Sequence, residues 1–139
     1  MSPPLTYLLD TNTISHLMRD AQGLVAQRYR TLLESPQPCR MVTSVVVQCE
    51  LLYGLTKKPS PRLQAAFALQ MAQLPVLDMD ESVAPHYATL RTQLEQLGTP
   101  IGGNDALIAA HALALGATLV SADAEFGRVP GLQLENWLS

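Results

Sequence analysis

The stretch Leu5-Thr6-Tyr7-Leu8-Leu9-Asp10-Thr11-Asn12 decides the fold. A short, mostly apolar strand stops abruptly at a carboxylate, and a helix-like segment, residues 14–19, follows at once. Thr11 and Asn12 are the residue types that cap helices, so one of them is expected to start it. In an open α/β sheet, ligands bind outside the carboxyl ends of the strands. Asp10 is therefore expected at the rim of a crevice, facing whatever binds there.

Outward from that stretch the pattern repeats. Gly23 precedes a second helical segment, residues 24–33, and Ser35-Pro36-Gln37-Pro38 is a loop because its paired prolines forbid helix. Met41-Val42-Thr43 is a strand, with Ser44 the N-cap of a helix reaching about Thr56. Lys57-Lys58-Pro59-Ser60-Pro61 breaks that helix. In the next, residues 62–74, Leu63, Phe67, Met71 and Leu74 share a face. Val76-Leu77 is a strand before Asp78. Val83, Tyr87, Leu90, Leu94 and Leu97 then mark an amphipathic helix closed by Gly98.

Asn104 or Asp105 is expected to open residues 106–115, which are apolar almost all round except for His111 and should be buried. Gly116 caps that helix, and the strand Thr118-Leu119-Val120-Ser121 stops just before Asp123. Val129-Pro130-Gly131 suits a type II turn, Leu132-Gln133-Leu134 a short edge strand, and Trp137 is expected to pack the chain end. Short strands alternating with helices predict one domain over residues 1–139. Its form is a three-layer α/β/α sandwich around a central, mainly parallel sheet with right-handed crossovers.

Composition sets outer limits. Of 139 residues, 47% are hydrophobic, which excludes a disordered chain. Only 15% are charged, against about 25% ordinarily, leaving room for an apolar surface covered by a partner. No run approaches the roughly 20 apolar residues of a membrane span. Met1-Ser2-Pro3-Pro4 carries no basic or apolar leader, so a cytoplasmic protein is expected. Cys39 and Cys49 form no metal or disulfide pattern and read as free thiols. The net charge of −3 becomes +1 once four site acids are set aside, so it neither favours nor excludes nucleic acid.

The acids carry the chemistry. Asp10 and Asp123 each follow an apolar strand, and Asp105 heads the helix leading into the second of them, so a parallel sheet sends all three to one edge. Glu50 lies among Val46, Tyr53 and Gly54 on an apolar helix face, with no basic residue one turn away. Gly54 leaves space there for something to approach. Each acid alone has a plainer use: Asp10 and Asp105 as helix-start acids, Asp123 in a turn with Glu125, Glu50 paired with a distant arginine. Gathered together, they would repel one another and hold their protons more tightly, and a divalent cation removes that penalty. All-oxygen ligation suits Mg²⁺ or Mn²⁺.

These segments resemble a known family. Leu8-Leu9-Asp10-Thr11-Asn12, Cys49-Glu50-Leu51-Leu52-Tyr53-Gly54, Ile101-Gly102-Gly103-Asn104-Asp105 with Ile108-Ala109-Ala110-His111, Leu119-Val120-Ser121-Ala122-Asp123-Ala124-Glu125-Phe126 and Val129-Pro130-Gly131-Leu132 look like the PIN-domain toxins of VapBC type. The resemblance covers nearly the whole chain. It implies a Mg²⁺- or Mn²⁺-dependent endoribonuclease that inhibits translation and is held in check by a cognate VapB-type antitoxin. By position, Asp10, Glu50, Asp105 and Asp123 match the family's acidic site, and Ser121 falls where the family often has Thr or Ser. Thr99-Pro100-Ile101-Gly102 resembles members that cleave tRNA in the anticodon stem-loop.

For RNA contacts the candidates are Lys57, Lys58 and Arg62, with Arg19, Arg40 and Arg128 in reserve. Amphipathic middle helices make a homodimer an expectation, and the antitoxin would assemble on it. Two rival readings exist. A haloacid-dehalogenase-like phosphatase needs a second Asp where this chain has Asn12, and a lysine near the site. A catalytically silent scaffold would bind another protein through the apolar surface.

Overall fold

A computed structural model describes residues 4–139. Met1, Ser2 and Pro3, read above for a leader, lie outside the described residues. The elements in order are β1 (Leu5–Leu9), α1 (Thr11–Arg19), α2 (Leu24–Glu34), β2 (Cys39–Ser44), α3 (Val45–Lys57), α4 (Pro61–Gln73), β3 (Val76–Leu77), α5 (Val83–Gln96), α6 (Gly103–Leu115), β4 (Thr118–Val120) and β5 (Gln133–Glu135), with a 3₁₀ turn Ala124–Arg128 before β5.

The five strands form one sheet in the order β3-β2-β1-β4-β5. Every pairing is parallel, so the sheet is wholly rather than mainly parallel. The chain builds outward from β1 to β2 and β3, then returns to the other side of β1 for β4 and β5. That reversal divides the helices between two faces: α1 packs with α2, α3 and α4, and α5 packs on α6. It also opens a crevice between the carboxyl ends of β1 and β4, where Leu9 pairs with Val120.

Because helices cover both faces, the inner strands bury successive residues instead of alternating. Leu8, Leu9, Val42, Leu119 and Val120 are all buried. Trp137 does pack the chain end, its ring against Tyr7 at 5.6 Å between centroids. Helix α6 is buried as expected, with Ile108, Ala109, Ala110 and Ala112 inaccessible, and Gly116 closes it at φ 64°. Gly131 takes φ 79°, and Leu132 N–H donates to Val129 O, as the type II turn requires.

Several local expectations are corrected. Asp10, not Thr11 or Asn12, occupies the N-cap position of α1. Helix α6 starts at Gly103, before Asn104 and Asp105. The last strand is shifted one residue, to Gln133–Glu135. Leu97 is exposed at the end of α5, because the chain turns away there and leaves that side chain beyond the core. No residue of α4 is fully buried, since its apolar face lies over α1 at the edge of the core. Leu33 and Leu69 remain exposed, so part of the excess apolar content does reach the surface.

Candidate functional site

The site is built first from β1. Its last residue, Leu9, is locked into the sheet, and the backbone N–H of Asp10 donates to Val120 O at 2.9 Å. Asp10 is thus fixed at the crevice and is buried. Its side chain has the adjacent Thr11 N–H as a backbone partner but makes no capping hydrogen bond further into α1. Instead Ser121 Oγ donates to Asp10 Oδ2 at 2.8 Å, across the gap between β1 and β4.

Ser121 is buried and fully engaged. Its oxygen accepts from Asn12 Nδ2 at 3.0 Å and from the Asp123 backbone N–H at 3.1 Å. Asn12 Nδ2 also reaches Asp10 Oδ2 at 3.3 Å, while its Oδ1 accepts from Ala122 N–H at 3.0 Å. Thr13 Oγ1 donates to Val120 O at 2.9 Å. These polar groups join the ends of β1 and β4 into one rigid frame.

Helix α3 brings Glu50 to the same crevice. Thr11 Oγ1 donates to Glu50 Oε1 at 3.2 Å, a contact the sequence reading did not foresee. The face around Glu50 is more open than the apolar spacing suggested: Tyr53 is 65% exposed, and a methyl group on Gly54 would meet nothing. Gly54 does open space beside Glu50, in a groove of about 280 Å³ that both line.

Asp105, in the first turn of α6, feels the charges of Asp10, Asp123, Glu50 and Glu125, but Asp10 and Glu50 stand outside the tightest group of carboxylates. Oxygen atoms of Asp105, Asp123 and Glu125 lie within 4.8 Å of one another. Glu125 was read only as a turn partner of Asp123. It is that, since Glu125 N–H donates to Asp123 Oδ1 at 2.9 Å, but the turn also adds its carboxylate to the cluster. An acid two residues beyond a strand-end Asp, inside a tight turn, was the available signal.

The electrostatics follow from this crowding. Burial and the charges of Asp10, Asp123, Glu50 and Glu125 push the Asp105 carboxyl up to about 6. Burial also raises Asp10, with the Asp123 charge adding and Ser121 opposing. Glu50 is raised by burial and by Asp10, against the Thr11 hydroxyl. Among the described residues the ion pairs are Arg28–Glu135, Arg91–Glu95 and Arg128–Glu125, so Asp10, Glu50, Asp105 and Asp123 have no cationic partner.

The basic candidates divide. Lys58 and Arg19 line the groove beside Glu50. Lys57 Nζ lies 5.6 Å from the Tyr53 ring centre. Arg62 donates to Arg19 O at 3.5 Å. Arg128 stands 3.9 Å from Glu125. Arg40 donates to Thr6 Oγ1, toward the amino end of the strands and away from the acids.

The PIN domain model matches residues 7–132. The chain belongs to the PIN-domain family. Within that family it is 36% identical over 135 residues to Ribonuclease VapC2 of Rickettsia felis, covering 96% of this chain and 98% of the relative. It is 33% identical to the tRNA(fMet)-specific endonuclease VapC of Salmonella typhimurium, with the same coverage. It superposes on the VapBC2 structure from Rickettsia felis bound to a promoter DNA fragment, at a TM-score of 0.87 and 35% identity, over 96% of this chain and 99% of that one. This is a PIN domain of the VapC ribonuclease kind.

Proposed function

We propose that the protein is a divalent-metal-dependent endoribonuclease, the toxin of a toxin–antitoxin pair. The observation that carries this reading is the set of converging carboxylates without a cation, in a chain of ribonuclease kin. The donor set fits a hard dication: every ligand is oxygen, and the Asp105 carboxyl is raised first by burial and then by the neighbouring acids, whose repulsion a cation relieves. Asp10 and Asp105 would hold Mg²⁺ or Mn²⁺, with Glu50 and Asp123 completing the shell. A bound dication supplies charge neutralisation and Lewis-acid activation at the phosphodiester.

The chain's own groups do the rest. Ser121 and Asn12 hold Asp10 in one orientation, and Thr11 holds Glu50. Lys58 and Arg19 sit where an RNA strand leaving the acids along the groove would present phosphates. Lys57 and Arg62 flank the same approach. Asn12 stands where a haloacid-dehalogenase-like phosphatase would need its second Asp, and it is committed to Asp10 and Ser121. A silent scaffold gives no reason to leave four acids unpaired.

The VapBC neighbour supports a VapB-type antitoxin as partner, and the Salmonella relative supports tRNA as the substrate class. Blocking translation by tRNA cleavage follows from that reading. The test is cleavage of a labelled tRNA pool with Mn²⁺. Cleavage abolished by EDTA, and absent in Asp10→Asn and Asp105→Asn, is the expected result; cleavage that survives EDTA would overturn it.

A further inference from the structure

The acids Glu50 and Asp105 stand on different helices, α3 and α6, so something must hold those helices in register. The two helices pack directly, and a buried side-chain hydrogen bond also ties α6 to the N-cap of α3. His111 Nδ1 lies 2.9 Å from Ser44 Oγ, and both residues are inaccessible, at 2% and 0%. Ser44 is the last residue of β2 and the N-cap of α3, where its oxygen accepts from Val46 N–H at 3.2 Å. That hydroxyl keeps its own proton and a second lone pair, and His111 Nδ1 is the partner within reach. The ring also hydrogen-bonds the backbone of Asp78, just past β3. An imidazole on α6 thus reaches the start of the helix carrying Glu50 and the end of the neighbouring strand.

We propose that His111, acting through Ser44, is a positioning residue that sets the spacing of Asp105 against Glu50. It does not touch the reacting atoms. Its place in the chain fits this: Asp105 lies six residues earlier on α6 and Glu50 six residues after Ser44, so each acid is a few residues from a common anchor. A histidine that merely fills the core also needs partners for its ring nitrogens, so metal affinity, which core filling alone leaves unchanged, is the property that separates the two roles. The inference rests on the nuclease reading above and adds a residue to it.

The test compares wild type with His111→Leu, His111→Asn, Ser44→Ala and the double variant His111→Leu/Ser44→Ala. Mn²⁺ affinity is read by the free-ion electron paramagnetic resonance signal, and RNA cleavage is read as kcat and KM separately. Leu fills the volume without an acceptor, while Asn keeps one near the Nδ1 position. Groups that orient metal ligands typically change metal affinity by about 10–100-fold when removed. His111→Leu and Ser44→Ala should each weaken Mn²⁺ binding about tenfold and lower kcat, leaving KM for RNA unchanged. The double variant should lose little more than either single one, and His111→Asn should regain most of the affinity. If either single variant fails to fold, the other decides. Wild-type Mn²⁺ affinity in a folded His111→Leu or Ser44→Ala variant overturns the positioning role alone. Absence of Mn²⁺ uptake by the wild type overturns the nuclease reading, and this inference with it.

Discussion

At one level of the sheet, two acids meet opposite fates. Glu135 ends the edge strand β5, in register with Val120. It accepts from the Trp137 indole N–H at 3.0 Å and stands 3.9 Å from Arg28. One strand inward, in the crevice between β4 and β1, Asp10 has only hydroxyl and amide partners, and it faces other acids. The edge strand uses its carboxylate to tie down the chain end. The crevice gathers carboxylates that destabilise one another. Under the proposed function a cation offsets that repulsion in the crevice, while at the edge Arg28 stands beside the carboxylate, and the two regions should therefore respond differently to mutation.

The largest effect expected from that contrast is on cleavage. Asp105→Asn or Asp10→Asn should lower kcat/KM at least about 10²–10³-fold, the loss typical of removing one group that stabilises developing charge. Glu135→Gln should leave it unchanged. Equal losses at the edge and in the crevice would dissolve the distinction.

A second difference is in pH dependence. Asp105 holds its proton up to about 6 in the folded state, against about 3.9 for an ordinary aspartate. The folded chain then binds more protons than the unfolded one between those values, so its metal-free stability falls as pH rises through that window. The Asp105 share of the fall is about 1 kcal/mol after discounting for partial exposure, and Asp105→Asn should reduce the fall, leaving the part due to Asp10 and Glu50. Thermal melts from pH 4 to 7 in EDTA measure it, and a stability that rises over that range would contradict the crowding.

Smaller still is the expected effect of Ser121→Ala. It removes the donor to Asp10 and leaves the Asp123 N–H without its acceptor, costing about 1–3 kcal/mol in stability by chemical denaturation. Smallest is Glu135→Gln, whose half-exposed ion pair with Arg28 contributes about 0–1 kcal/mol. For the groove, Lys58→Ala should weaken RNA binding and reduce the magnitude of the slope of log affinity against log salt by about 1. An unchanged slope would remove Lys58 from the RNA path.

Much of this architecture was legible in the chain. The strand run ending at Asp10, and the all-round apolar character of Ala106 to Leu115, each have one physical solution, and both formed as expected. Asp10, Asp105 and Asp123 could be grouped because parallel strands send their ends to one side. Glu50 could be added only as an uncompensated acid in an apolar pattern. Local spacing misjudged how open that helix face is, because exposure depends on which neighbours pack there. The Asp123–Glu125 turn was legible from its spacing, but the Thr11–Glu50 contact and the Ser44–His111 pair were not. Each of those two links positions brought together by sheet order, and no residue type announces it.

The most direct measurement is a calorimetric Mn²⁺ titration of the metal-free protein at pH 7, beside Asp105→Asn and Glu135→Gln. Saturable uptake by the wild type and Glu135→Gln, lost in Asp105→Asn, is the result expected if the crevice acids are gathered around a cation. No uptake, or equal uptake by all three proteins, would contradict it.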